Sequence, residues 1–211
     1  MFGNRGHMQE IIRRLKKAYP RARTELNFET PFELLAATIL SAQATDLSVN
    51  RATEKLFKKY RSVKDFDAAP IEELEKGVSG INFYHNKARN IKRCAAIILE
   101  RHGGKVPDSM AALVGLPGVA RKTANIVLSN AYGKNEGIAV DTHVKRLSQR
   151  LGLTKKTDPN KIEAELMAIT PQSEWANISH MLILHGRRVC AARAPKHKEC
   201  VLYDICPSNN I

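Results

Sequence analysis

An all-α fold is what the sequence predicts, and three observations predict it. Apolar residues recur at three- and four-residue spacing in nearly every segment, no stretch alternates as a half-buried strand would, and helix start and stop residues bracket the periodic runs. The basic N-terminal segment sets Ile11, Ile12 and Leu15 against Arg13, Arg14, Lys16 and Lys17, an amphipathic pattern suited to packing on the C-terminal helices. Thr30-Pro31-Phe32-Glu33 combines a capping box with proline at the first helical position, and opens a helix whose buried face is Leu34, Leu35, Ile39 and Leu40. Val49, Ala52, Leu56 and Phe57 mark the next helix, and Pro70 opens a short one through Ile71, Leu74 and Val78. Ala88, Ile91, Ala95 and Ile98 mark a longer helix that stops at Gly103-Gly104 and carries Cys94 as a core residue. Asp108 is expected to cap a short helix over Met110 to Val114. A tight turn then leads into a helix with Ala124, Val127, Leu128 and Ala131 that ends at Gly133. Asp141 or Thr142 starts a helix with Val144, Leu147 and Leu151, Asp158-Pro159 starts one with Ile162, Leu166 and Ile169, and Trp175 to His185 forms the last long one.

The 211 residues, 43% hydrophobic, are enough to bury a core as one large or two small domains. Thirty-four Lys and Arg against 21 Asp and Glu leave a formal charge of +13, which calls for a polyanionic partner, nucleic acid first. The plainer alternative is a solvated basic surface. No run of eighteen apolar residues and no signal-peptide pattern occurs, so a cytosolic location without membrane contact is expected. Nothing in the pattern points to an oligomer, and a monomer is expected. Cysteines stand at 94, 190, 200 and 206; in a reducing compartment, the crowding of three near the C-terminus favours metal ligation over disulfides.

The segment Leu116 to Asn125 is the most informative. Leu116-Pro117-Gly118-Val119-Ala120 is a turn, and Arg121 and Lys122 fall in the first turn of the helix that follows. The unpaired N–H groups there form a site for a phosphate oxygen, and their partial positive charge favours loss of a proton from a neighbouring lysine. Lys122 is therefore either a nucleophile or a plain phosphate contact.

Several motifs coincide in order with those of a known family. These are Thr24-Glu25-Leu26-Asn27-Phe28, Leu40-Ser41-Ala42-Gln43-Ala44-Thr45-Asp46, the Leu116 to Asn125 turn and helix, Ile138-Ala139-Val140-Asp141-Thr142-His143, and Leu184-His185-Gly186-Arg187. On these the chain resembles, over nearly its whole length, endonuclease III, the bacterial DNA glycosylase and AP lyase for oxidised pyrimidines. The resemblance implies a helix-hairpin-helix glycosylase fold with a six-helix barrel domain over residues 22–132. A second, iron–sulfur-type helical domain would be made of residues 1–21 and 133–211, with a DNA-binding cleft between the two.

By the same resemblance, Lys122 is the catalytic amine that attacks C1′ of the damaged nucleotide, and the Schiff base so formed permits β-elimination. An ordinary lysine reaches the neutral form at pH 7 at a cost of about 4.6 kcal/mol. Asp141 matches the essential aspartate, expected to move protons and to stabilise oxocarbenium-like charge; on its own chemistry it is equally an N-cap. His143 is a supporting group or a surface residue. Gln43 matches the glutamine that fills the space left by an everted base. Phe83, in Ile81-Asn82-Phe83-Tyr84-His85-Asn86-Lys87, is a wedge into the base stack or a packing residue, and Asn82 stands where glycine is usual. Gly118 and Ala120 form the hairpin turn, and Arg121 beyond it is expected to bind DNA with them. Ala120 replaces a usual glycine, and altered DNA affinity is expected if that position needs positive φ.

The family's four cysteines, spaced Cys-x6-Cys-x2-Cys-x5-Cys, hold a [4Fe-4S] cluster. The corresponding series here is Cys190, His197, Cys200 and Cys206. One imidazole among thiolates removes a negative charge and raises the potential of such a cluster; three Cys and one His also suit zinc, and an empty site is the third possibility. Arg193 and Lys196, in the loop between Cys190 and His197, are expected to grip DNA phosphate. Damaged double-stranded DNA is the expected partner. Two rivals are an adenine-mismatch glycosylase of the same superfamily, against which Lys122 and the short chain argue, and a non-catalytic DNA-binding module, which leaves Lys122 and Asp141 unexplained.

Overall fold

A computed structural model of the chain describes residues 4–210, and among these it contains eleven α-helices, three short 3-10 turns and no strand. In chain order the helices are α1 (Arg5–Ala18), α2 (Pro31–Leu40), α3 (Asp46–Lys59), α4 (Val63–Ala68), α5 (Ile71–Gly77) and α6 (Tyr84–His102). They continue as α7 (Met110–Val114), α8 (Arg121–Tyr132), α9 (Thr142–Arg150), α10 (Pro159–Ile169) and α11 (Trp175–Arg188). The chain divides into two compact units: Glu25–Lys134, and a second that joins the segment ending at Thr24 to the segment beginning at Asn135.

The unit Glu25–Lys134 is built around α2. The capping box forms: Thr30 Oγ1 accepts from the Glu33 N–H at 3.2 Å, and Glu33 Oε2 accepts from the Thr30 N–H at 3.2 Å. Every residue from Phe32 to Leu40 is buried, not one face only. The reason is that α3, α6 and α8 all pack on it, and Ala36, Ala37 and Thr38 are small enough to admit them. Thr38 meets its polar requirement within the helix, donating to Leu34 O at 2.7 Å.

This unit holds seven helices where six are expected, and α4 is the addition. Its signal is present in the sequence as Ser62-x-x-Asp65, a second capping box. Phe66 anchors it, 1% exposed, with ring centroids 5.0 Å from Phe32, 5.5 Å from Tyr60 and 6.3 Å from Phe57. Burial of one such ring contributes about 1.5–3 kcal/mol. The cap of α7 also differs from expectation. Ser109, with extended backbone, accepts from the Ala112 N–H at 3.4 Å, while Asp108 lies one position too early and pairs with Lys134 Nζ at 2.6 Å.

In the second unit, Met8, Ile11, Ile12 and Leu15 of α1 bury against Val144, Leu147, Ile162, Leu166, Ile178 and Leu182. Gly186 sits where α11 meets α9: a Cβ there would lie 3.0 Å from both Arg146 Nη2 and His143 Nδ1. The absence of a side chain lets the helices approach closely enough for Arg146 to donate to the Gly186 carbonyl at 2.9 Å.

Candidate active site and metal loop

The hairpin joins α7 to α8 in the unit Glu25–Lys134. Leu116 and Val119 are buried and peg the turn, with Leu116 N bonded to Leu113 O at 3.0 Å and Val119 N to Leu116 O at 3.2 Å. Helix α6 lies underneath: the Cys94 thiol donates to Pro117 O at 3.2 Å, and Asn90 one turn earlier faces Gly118. Burial pushes the Cys94 thiol up to about 12, so it serves as a neutral donor and not as a reactive thiolate. Gly118 has φ +74, and a Cβ on it would lie 2.7 Å from Asn90 Nδ2. Gly118→Ala should therefore cost about 1–2 kcal/mol in backbone strain, lowering Tm by about 2–8 °C, and should weaken DNA binding. Calorimetry and a binding titration check this; an unchanged Tm would mean the turn does not depend on glycine.

Ala120 behaves differently. It is the N-cap of α8 with φ −88 and ψ 169, extended backbone that any residue adopts, so the position makes no conformational demand for glycine. As alanine it offers no capping oxygen, and the first turn of α8 contains no acidic residue, only Arg121 and Lys122. Cations at the positive end of a helix with no side-chain cap work against stability. The same arrangement leaves backbone N–H groups for an external oxyanion. Lys122 is exposed at the second helical position.

Asp141 belongs to the other unit and is the N-cap of α9, its Oδ1 accepting from the Val144 N–H at 2.8 Å. Both sequence-based roles stay compatible, because the cap uses one oxygen and leaves Oδ2 over. His143 is half-buried, with Nδ1 3.2 Å from Arg146 Nη2. Burial lowers its pKa, reinforced by Arg146 and Arg187 and opposed by Asp141.

Gln43 and Phe83 both occupy exposed loop tips in the first unit. Phe83 is 67% exposed, which removes packing as its role. Each has left-handed backbone, φ +56 at Gln43 and φ +58 at Phe83, costing about 1–3 kcal/mol apiece. Strain of that kind concentrates where a side chain must be presented outward.

Cys190, His197, Cys200 and Cys206 line one small cavity of about 20 Å³ with Arg150, Lys196 and Tyr203. Among the described residues, no three metal-ligating side chains converge on one point as a single ion would require. Several side chains that sequence reasoning passed over support this loop. Arg150 Nη1 donates to Cys190 Sγ at 3.2 Å and to Ala191 O at 2.7 Å, while Nη2 reaches Ala192 O at 3.0 Å. Arg146 reaches Cys190 O at 3.0 Å. The only trace of these two in the sequence is their i, i+4 spacing on α9. His185, 2% exposed, lies between Tyr19 Oη at 3.0 Å from Nδ1 and Cys200 Sγ at 3.4 Å from Nε2. Burial holds its pKa down at about 4 and raises the thiols of Cys200 and Cys206. Arg193 is exposed beside Ala194, whose φ is +50, and Lys196 is exposed with Glu199 3.5 Å from its Nζ.

Residues 36–172 match the model of the HhH-GPD superfamily of base excision DNA repair proteins. The chain is 51% identical to endonuclease III of Synechocystis over 94% of its length and 91% of that protein. It is 42% identical to endonuclease III of Escherichia coli over 96% of each. Among solved structures, a non-covalent endonuclease III–DNA complex is similar with a TM-score of 0.92 at 42% identity, covering 98% of this chain and 96% of that one. A trapped endonuclease III–DNA covalent intermediate has the same TM-score, 0.92, and identity, 42%, covering 98% and 97%.

Proposed function

Since the chain belongs to the endonuclease III family, we propose that it removes oxidised pyrimidines from duplex DNA with Lys122 as nucleophile and Asp141 as acid/base partner. It is a bifunctional DNA glycosylase and AP lyase of base excision repair, and its substrate is damaged double-stranded DNA. Among the described residues no helix is long and apolar enough to cross a membrane.

The observation that carries the residue assignment is the N-terminus of α8: no capping side chain, no acid, and Lys122 exposed in the first turn. An adjacent phosphate on the helix amides would hold the strand while the amine addresses the sugar. The neutral Lys122 amine forms a bond to C1′ as the glycosidic bond breaks and the base leaves with the electron pair. Opening of the sugar gives the protonated Schiff base. Loss of the C2′ proton then expels the 3′ phosphate by cleavage of the C3′–O bond. Asp141, through the oxygen its cap does not use, takes the proton from the amine and offsets the positive charge that develops at C1′. Gln43 and Phe83 fill the space left in the stack, and Gly118, Ala120, Arg121, Arg193 and Lys196 hold the backbone.

A [4Fe-4S] cluster held by Cys190, Cys200 and Cys206 with His197 as fourth ligand is the reading their donor chemistry supports, three thiols and one imidazole lining the same small cavity at the family's spacing. Bound there, the group supplies order to the loop that carries Arg193 and Lys196. Arg150 donates to Cys190 Sγ and to the loop carbonyls, so it ties the loop base to α9 and offsets thiolate charge. Anaerobically purified protein should contain iron and acid-labile sulfide with visible absorption. Zinc without iron would overturn the ligand assignment.

Borohydride reduction of the protein with duplexes carrying thymine glycol or an abasic site tests the reaction. A covalent protein–DNA adduct is expected with both. Absence of an adduct with both duplexes, using folded and metal-loaded protein, would sink the lyase assignment.

A further inference from the structure

The tips that carry Gln43 and Phe83 come from separate loops, one between α2 and α3 and one ahead of α6, yet they are tied to each other. The Asn82 side chain donates from Nδ2 to the Gln43 carbonyl at 3.1 Å. Lys87, in the first turn of α6, is only 7% exposed, and its Nζ lies 2.9 Å from Leu40 O and 2.5 Å from Ala42 O. Those carbonyls end α2 and begin the Gln43 loop, at the negative end of the helix dipole. The hydrogen-bond partners of this buried ammonium are thus backbone carbonyls, an expensive arrangement for a helix that could have placed an apolar side chain there. Lys87 falls on the buried stripe of α6 with Ile91, Cys94 and Ile98, so its depth follows from its register. The left-handed backbone at both tips requires surroundings that over-determine it, and these contacts provide them.

We infer that Asn82 and Lys87 are positioning residues that lock the Gln43 and Phe83 tips together, so that both side chains enter the base stack as one preformed wedge. The inference rests on the glycosylase assignment. A wedge already ordered before contact loses little conformational entropy on insertion, and the free energy of DNA binding is then available for unpairing and everting the damaged nucleotide. Asn82 touches no reacting atom; it acts through Gln43.

The test compares single-turnover base release by the metal-loaded wild type, Asn82→Ala and Lys87→Met on two duplexes. In one, thymine glycol lies opposite adenine. In the other it lies opposite a tetrahydrofuran abasic analogue, which offers no pair to break and no base for Gln43 to meet. Asn82→Ala should slow release from the paired lesion about three- to tenfold, as expected for one lost hydrogen bond. On the unpaired lesion the loss should be under about twofold, because eversion there is already cheap. Lys87→Met should show the same contrast more strongly. Where that variant fails to fold, Asn82→Ala decides the matter, since Asn82 is exposed and its loss leaves the core intact. Equal losses on both duplexes, or no loss on either, would overturn the inference. Borohydride trapping of an abasic duplex is run alongside. If the wild type releases no base and traps nothing, the glycosylase assignment fails and the inference falls with it. If all three proteins trap but the contrast is missing, the inference alone fails.

Discussion

Lys122→Gln should abolish borohydride trapping on both thymine glycol and abasic duplexes while leaving the fold intact. Glutamine has no amine to form a Schiff base, so no residual covalent adduct is expected from this position. The side chain is exposed, and its charge sits at the positive end of α8 beside Arg121. Removing that charge should raise stability slightly, by about 0.3–1 kcal/mol, so a calorimetric Tm that holds or rises is part of the expected result. The outcome separates the two roles open to this residue. A lysine that only contacts phosphate would lose affinity and about one unit of salt slope on substitution, with trapping retained. Retained trapping would move the nucleophile elsewhere.

Asp141→Asn should lower single-turnover base release by about 10²–10⁴-fold, the range of a positioned acid or base. The substitution keeps the cap, because an asparagine oxygen accepts from the Val144 N–H as well as a carboxylate does. Tm should therefore change little. Asp141→Ala should lose the rate and also about 1 kcal/mol of stability, which falls within the usual cost of a removed cap. A full-rate Asp141→Asn enzyme would leave Asp141 as a cap alone.

The helices and the candidate site differ in how readily the sequence exposes them. The capping box at Thr30, the stop at Gly133 and the caps at Asp141 and Asp158 lie in local patterns of three or four residues, and the structure forms all of them. Helix α4 was passed over although Ser62-x-x-Asp65 signals it, because six residues hold too little periodicity to register. The Asp108 cap failed by one position, a distinction made by the backbone angles of Ser109 and invisible in residue type. Lys122, Asp141 and Gln43 were legible because they stand inside motifs. The parts played by Arg150, Lys87 and His185 were not legible, although Lys87 and His185 also stand in quoted segments, since each acts on an atom distant in the chain: Cys190 Sγ, Ala42 O and Cys200 Sγ.

By itself the sequence determined an all-helical chain, a basic surface, a turn that opens a helix with an amine at its start, and a cysteine-rich loop with one histidine. These follow from periodicity, charge and short-range hydrogen bonding, all of which act within a few residues. Tertiary structure alone decided that α2 is buried all round, that Ala120 is under no strain while Gln43 and Phe83 are, and that an asparagine ahead of α6 and a lysine in its first turn bond to carbonyls at the end of α2 and in the Gln43 loop. The physical reason is that burial and backbone strain are set by what packs against a residue, and those neighbours are chosen by the closure of the whole core.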